Sequence, residues 1–119
     1  MWIFVKVITI AGNDYKMTSS AYTQFAYKNR TGRSLLTDLS SLTELSKDGN
    51  MTMEKVEPLL ELLLNMSYVM IEEADSTQVK DGYDGFLKSL TQPLFDDTTW
   101  ILEIIKLACS PISGQLQDN

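Results

Sequence analysis

The sequence contains no histidine. That removes Ser-His-Asp and Cys-His catalysis, His-ligated zinc and the usual near-neutral proton shuttle together. Cysteine is almost as scarce. Cys109 stands alone, so neither an internal disulfide nor a Cys-rich zinc site can be built from this chain. Its neighbours Leu107 and Ala108 predict a buried, unreactive thiol, and a reducing cytoplasm suits such a chain. Long apolar runs are missing, and nothing reaches the roughly 18 uninterrupted apolar residues of a transmembrane helix. The apolar start, MWIFVKVITI, is interrupted by Lys6 and lacks the basic n-region and small-residue cleavage site of a signal peptide. There is no Gly-rich phosphate loop and no G-x-S-x-G elbow. Positive charge is in deficit, with ten Lys and Arg against sixteen Asp and Glu. Duplex binding needs a basic face, so nucleic acid is not an expected partner, and without a spanning segment neither is a membrane.

What is present reads as one domain over 1–119, mainly α with a small N-terminal β-hairpin (α+β). Residues 2–10 are rich in Trp, Ile, Phe, Val and Thr, which favour strands. Gly12-Asn13-Asp14 is a turn signal, so residues 2–17 are expected to form the hairpin. A lone hairpin is marginal in water, so its apolar face must rest on helices. The helical body is expected over 20–109, with four to five helices around a central apolar one. Ser19 or Ser20 can cap a first helix over about 20–31. Tyr22, Phe25 and Ala26 then form its inward face, and Gly32 ends it. Ser34 can cap a second helix over 34–47, lined on one side by Leu35, Leu36, Leu39, Leu42 and Leu45. Thr52 can cap a third, with Pro58 in its second turn or marking a later start. Val56, Leu59, Leu60, Leu63, Met66, Met70 and Ile71 make a stripe there, widened by Leu62, Tyr68 and Val69. A helix apolar nearly all round is central, or central and also an interface. STQVKDG reads as a polar connector and YDGFLKSL as short helical turns. Asp96, Asp97 and Thr98 open a last helix whose inner face is Trp100, Ile101, Ile104, Ile105 and Ala108. Pro111 is expected to stop it, leaving 110–119 as a frayed tail.

Several segments bear on function. Lys28, Arg30 and Arg33 form a small basic knot in an acidic chain. Its plain explanation is a helix end: Lys28 and Arg30 at the negative pole of the dipole, Gly32 turning, and Arg33 in solvent. The functional alternative is a patch for an acidic partner through Arg30 and Arg33. Residues 46–57 can be laid over a calcium loop, with Ser46, Asp48, Asn50, Thr52, Glu54 and Glu57 on the ligand positions. Position 1 is then Ser and position 6 is Met51, where Asp and Gly are expected. TDLSSL, 37–42, is similar to the attachment segment of acyl-carrier proteins, but Leu39 separates Asp38 from Ser40. Glu72-Glu73 and Asp96-Asp97 are adjacent on helices and do not face each other as acid and base. No catalytic, cofactor-binding or metal-ligating set is therefore expected, and no enzyme activity. The broad stripe of the third helix, with adaptable Met66 and Met70, points instead to interaction and self-association. Leu62, Leu64, Tyr68 and Val69 are its expected partner-binding residues.

The order of elements resembles the tail assembly chaperones of long-tailed bacteriophages and prophages of Gram-positive bacteria. The resemblance covers roughly residues 8–108. It rests on Gly32, Ser34, Leu35, Leu36, Asp38 and Leu39 for a Gly-x-(small or acidic)-Leu-Leu-x-Asp-Leu turn. Ser67, Tyr68, Met70, Ala74 and Asp75 match a later helix, and Phe86-Leu87 follows a linker. The strongly apolar first ten residues and the lack of a basic C-terminal extension depart from the family pattern. The resemblance implies a non-enzymatic protein, without cofactor, that coats the tape measure protein and is displaced as tail tube protein polymerises. It further implies work in the host bacterial cytoplasm and absence from the mature virion. The alternative is a small helical regulatory or calcium-responsive adaptor.

Overall fold

The computed structural model describes residues 5–47 and 53–113. The fold is mainly α with an N-terminal two-stranded antiparallel hairpin, as expected. Strands β1 (Lys6–Ile10) and β2 (Asn13–Met17) pair with Lys6 opposite Met17 and Ile10 opposite Asn13. Two residues therefore make the turn, Ala11 and Gly12, at φ 50° and 87°. Positive φ at both central positions is the hairpin turn whose twist matches the strands. The turn thus lies one residue earlier than Gly12-Asn13-Asp14. The period of two is clean: Ile8, Ile10, Tyr15 and Met17 are buried, while Val7, Thr9, Asp14 and Lys16 face out.

Helix α1 (Ala21–Thr31) begins at a reciprocal cap. The Tyr22 N–H donates to Ser20 Oγ, and the Ser20 N–H donates to Thr23 Oγ1 at 2.8 Å. It ends at Gly32, whose φ of 75° only glycine adopts freely and whose N–H donates to Lys28 O. Its inward face is not the expected one. Thr23 and Tyr27 are buried, Ala26 is half-buried, and Tyr22 and Phe25 point to solvent. Helix α2 (Leu35–Lys47) is capped by Ser34 Oγ, which accepts the Thr37 N–H. Leu35, Asp38, Leu39 and Leu42 face inward at i, i+3, i+4 and i+7. Leu36, one step of about 100° off that line, is 49% exposed rather than inside.

The third predicted helix divides at its proline. A short α3 (Met53–Val56) passes through a 3-10 turn at Glu57–Leu59, with Pro58 inside it, into α4 (Leu60–Ala74). The expected cap Thr52 lies outside the described residues. Helix α4 is central, touched by β2, α1, α6 and the 3-10 turn Ser76–Val79. That turn occupies the expected polar connector and buries Val79. Helix α5 (Gly82–Lys88) follows. Helix α6 (Thr99–Ser113) starts where the Thr99 N–H meets Asp97 Oδ1, with Trp100, Ile101, Ile104, Ile105 and Ala108 buried as expected. It runs past Pro111 instead of stopping there. The Leu107 carbonyl, which Pro111 cannot serve, accepts the Ser110 hydroxyl at 2.8 Å. The last six residues, 114–119, lie outside the described residues. No helix among the described residues is long and apolar enough to cross a membrane.

Candidate functional site

The basic knot closes on itself. Gly32 turns the chain so that Arg33 lies over the first turn of α2. There Arg33 Nε and Nη2 donate to Asp38 Oδ2 and Oδ1 at 2.9 and 2.8 Å. Tyr27, from the last turns of α1, donates its hydroxyl to Asp38 Oδ2 at 2.6 Å. Asp38 is 1% exposed and Tyr27 wholly buried, while the Arg33 side chain is 55% exposed. Burial would push the Asp38 carboxyl up, but the hydrogen bonds from Arg33 and Tyr27, with the charge of Arg33, hold it below the usual carboxylate range. Burial first, then the bond to Asp38 and its charge, push the Tyr27 hydroxyl well above the ordinary tyrosine value. Arg33 is thus a clamp, not a solvated cation.

Arg30 is also engaged. Its Nε donates to Asn65 Oδ1 at 2.7 Å, and its guanidinium carbon sits 4.5 and 4.3 Å from the ring centres of Tyr68 and Tyr83. Asn65 in turn donates to the Glu61 carbonyl at 2.9 Å. Tyr68 and Tyr83 meet edge-to-face at 5.4 Å, and Tyr15 meets Phe86 likewise at 5.5 Å. The aromatic rings of β2, α4 and α5 are thereby joined, with Arg30 closing one side. Of the two arginines expected to meet an acidic partner, each is tied to its own fold. Lys28 is exposed at the end of α1.

The helix residues expected to bind a partner are mostly inside. Leu64, Tyr68 and Val69 are 7%, 6% and 3% exposed, and Leu62 is half-buried. Glu73 accepts hydrogen bonds from Ser20 and from Thr23, the latter at 2.7 Å, so it locks α4 to the start of α1. Asp97 caps α6, and its bonds from Thr99 hold its carboxyl below the usual range. Cys109 is half-buried, and burial raises its thiol despite a hydrogen bond with Thr43. Of the calcium-loop positions, Ser46 falls in α2, Glu54 and Glu57 are exposed, and Asp48, Asn50 and Thr52 lie outside the described residues.

Among the described residues, the accessible apolar groups are elsewhere. Tyr22 and Phe25, three apart and so neighbours on the outer face of α1, are 60% and 64% exposed. Val5, Val7, Leu36 and Leu102 are 44%, 56%, 49% and 42% exposed. The signal for Tyr22 and Phe25 was in the sequence. Thr23 and Tyr27 form an equally good i, i+4 stripe, if polar groups at 38 and 73 are there to satisfy them. Comparison of the chain with protein-family models, curated proteins and solved structures finds no match.

Proposed function

We propose that this chain is a tail assembly chaperone of a long-tailed bacteriophage or prophage. It covers the tape measure protein in the host cytoplasm, is displaced as tail tube protein polymerises, and is left out of the virion. The order of elements and the residue pattern around Gly32 and Tyr68 support this function. One structural observation carries it: the outer face of α1 offers Tyr22 and Phe25 to solvent, on a protein of net charge −6. A client with much exposed apolar surface needs such a cover, apolar where it touches and charged behind.

The magnitudes fit reversible use. A large aromatic side chain carries roughly 150–250 Å², so two at about sixty per cent exposure offer on the order of 200 Å². At about 25 cal/mol per Å² that is about 5 kcal/mol before the cost of association. One subunit would hold weakly, and several along a rod-like client would hold well. The test is co-expression of the chain with a fragment of the tape measure protein from the same phage genome. The fragment is expected to stay soluble with the wild-type chain and to be lost with a Tyr22→Ser, Phe25→Ser double variant. Neither side chain is in the core, so the variant should keep its melting temperature. A fragment whose solubility ignores the wild-type chain refutes the function.

A further inference from the structure

The two-residue turn decides which main-chain groups bond across the hairpin. Ile10 with Asn13, Ile8 with Tyr15 and Lys6 with Met17 are the bonded pairs, because a two-residue turn is closed by one. Val7 and Thr9, opposite Lys16 and Asp14, therefore aim their N–H and C=O groups away from β2. On the β2 side the matching outward groups of Lys16 are closed. The Gln78 side chain accepts the Lys16 N–H at 2.8 Å and donates to the Lys16 carbonyl at 2.9 Å. On the β1 side no described residue takes the main-chain groups of Val7 or Thr9.

This open edge is also apolar. Val5 and Val7 are exposed beside it, and Thr9 is occupied by its own bond to Asp14 at 2.6 Å. Natural edge strands are guarded by a charge, a proline, a bulge or a covering element. The charge on β1 itself, Lys6, points to the helix side and reaches Glu103 at 3.7 Å, while Lys16 and Asp14, exposed across from Val7 and Thr9, stand on β2 away from the edge.

We propose that β1 is a self-association edge, on which a second copy of this chain lays its own β1 antiparallel about a two-fold axis at Val7. The two hairpins then form one four-stranded sheet. Self-complementarity favours a second copy over a foreign strand. The symmetric register sets Val7 against Val7, Thr9 against Val5 and Lys6 against Ile8. No like charges stand directly opposite, the two Lys6 side chains are diagonal neighbours each engaged by its own Glu103, and every side chain keeps its own face, so Ile8 stays on the helix side. Such a contact is isologous and closes at the dimer. Strand pairing alone buries far less than the roughly 1,600 Å² of a standard interface. The dimer is therefore weak and concentration-dependent, with a Kd on the order of micromolar or above. This edge is distinct from the α1 face and does not depend on the chaperone function.

Sedimentation velocity of the full chain over a wide concentration range tests it. Wild type is expected to move from monomer to dimer. Val7→Lys and Val7→Glu each set like charges across the axis and should weaken the dimer by at least about tenfold. An equimolar mixture of the two should restore it, because Lys then faces Glu. Hydrogen exchange on wild type gives a second reading that needs no variant. The Val7 and Thr9 amides should gain protection as concentration rises, while that of Lys16, already held by Gln78, should not change. A wild type that stays monomeric throughout, a dimer indifferent to Val7→Lys, or a mixture that fails to reassociate each overturns the proposal.

Discussion

Tyr27→Phe removes a single oxygen from the interior and tests how the α1–α2 corner is held. The lost hydroxyl donates at 2.6 Å to a carboxylate that is 1% exposed. Hydrogen bonds to charged groups contribute about 1.5–3 kcal/mol net. Arg33 still serves Asp38 through both oxygens in the variant, so the lower part of that range applies, about 1.5–2 kcal/mol. Asp38→Ala should cost more, about 2–4 kcal/mol, because it orphans a fully buried hydroxyl as well as removing the charge. The double variant should be less destabilised than the sum of the singles, since Phe leaves nothing to orphan. A coupling of about 1.5 kcal/mol is expected. Urea unfolding followed by tryptophan fluorescence, to which the buried Trp100 at 1% exposure contributes alongside Trp2, measures all three. Strictly additive costs, or a Tyr27→Phe loss under about 0.5 kcal/mol, would refute the account.

The same corner sets a pH dependence. The Asp38 carboxyl is held below its ordinary value in the folded state. Its contribution is present above the unfolded carboxylate pKa of about 3.9 and is lost as pH falls through the lower folded value. Tyr27 is raised, so its contribution is intact below the unfolded value of about 10 and declines as pH climbs beyond it. Tyr27→Phe should therefore abolish the tyrosine's share of the alkaline loss and leave much of the acid loss, which Arg33 still sustains.

Other substitutions probe other contacts. Arg30→Ala should cost about 1–2 kcal/mol in urea unfolding, the worth of two partly exposed cation–π contacts and the Asn65 bond. Arg30→Lys should rescue little of this, since an ammonium neither stacks between Tyr68 and Tyr83 nor presents an Nε–H. Gln78→Ala should speed hydrogen exchange at the Lys16 amide selectively and lower stability by about 1–2 kcal/mol; an unchanged Lys16 rate would contradict the pairing of Lys16 with Gln78. Ala11→Asn should raise the melting temperature modestly, by about 0.5–1 kcal/mol in stability, because Asn tolerates the positive φ that Ala adopts here at 50°.

Local signals were legible in the sequence because they act within a few residues. Ser20, Gly32, Ser34 and Asp97 each cap the helix end at which they stand, and the hairpin alternation follows from pattern alone. The central position of α4 was legible too, from an apolar stripe too wide for one face. What the sequence hid depends on partners far along the chain. Thr23 turns inward because Glu73, fifty residues away, accepts its hydroxyl. Tyr27 turns inward because Asp38 accepts its own. With both directed in, Tyr22 and Phe25 must face out. Asp38 was the available clue, as a carboxylate standing in the apolar line of Leu35, Leu39 and Leu42 implies a buried donor nearby. Pro111 misled for the opposite reason: the neighbouring Ser110 supplies the missing hydrogen bond from one residue away.

The surplus of apolar surface expected on the central helix is instead divided among smaller outlets. Residues 63–71 of α4 are buried without a break, because β2, α1, α6 and the turn at 76–79 all pack against it. Breadth of the stripe therefore measured how many neighbours the helix serves within its own subunit. Among the described residues, the apolar groups left outside lie on two different kinds of element. Tyr22 and Phe25 stand on a helix, whose main-chain groups along that face are turned into its own ladder, so they recognise a partner through side chains. Val5 and Val7 flank a strand edge whose main-chain groups no described residue takes, so pairing there is directional and fixes register. A helix face suits a long client gripped repeatedly and released, because no single contact dominates. A strand edge suits a specific, symmetric copy. Separate losses on substitution, client solubility from Tyr22 and Phe25 and dimerisation from Val7, are what this division of labour requires. A variant at either place that abolished both would mean that one surface serves both ends.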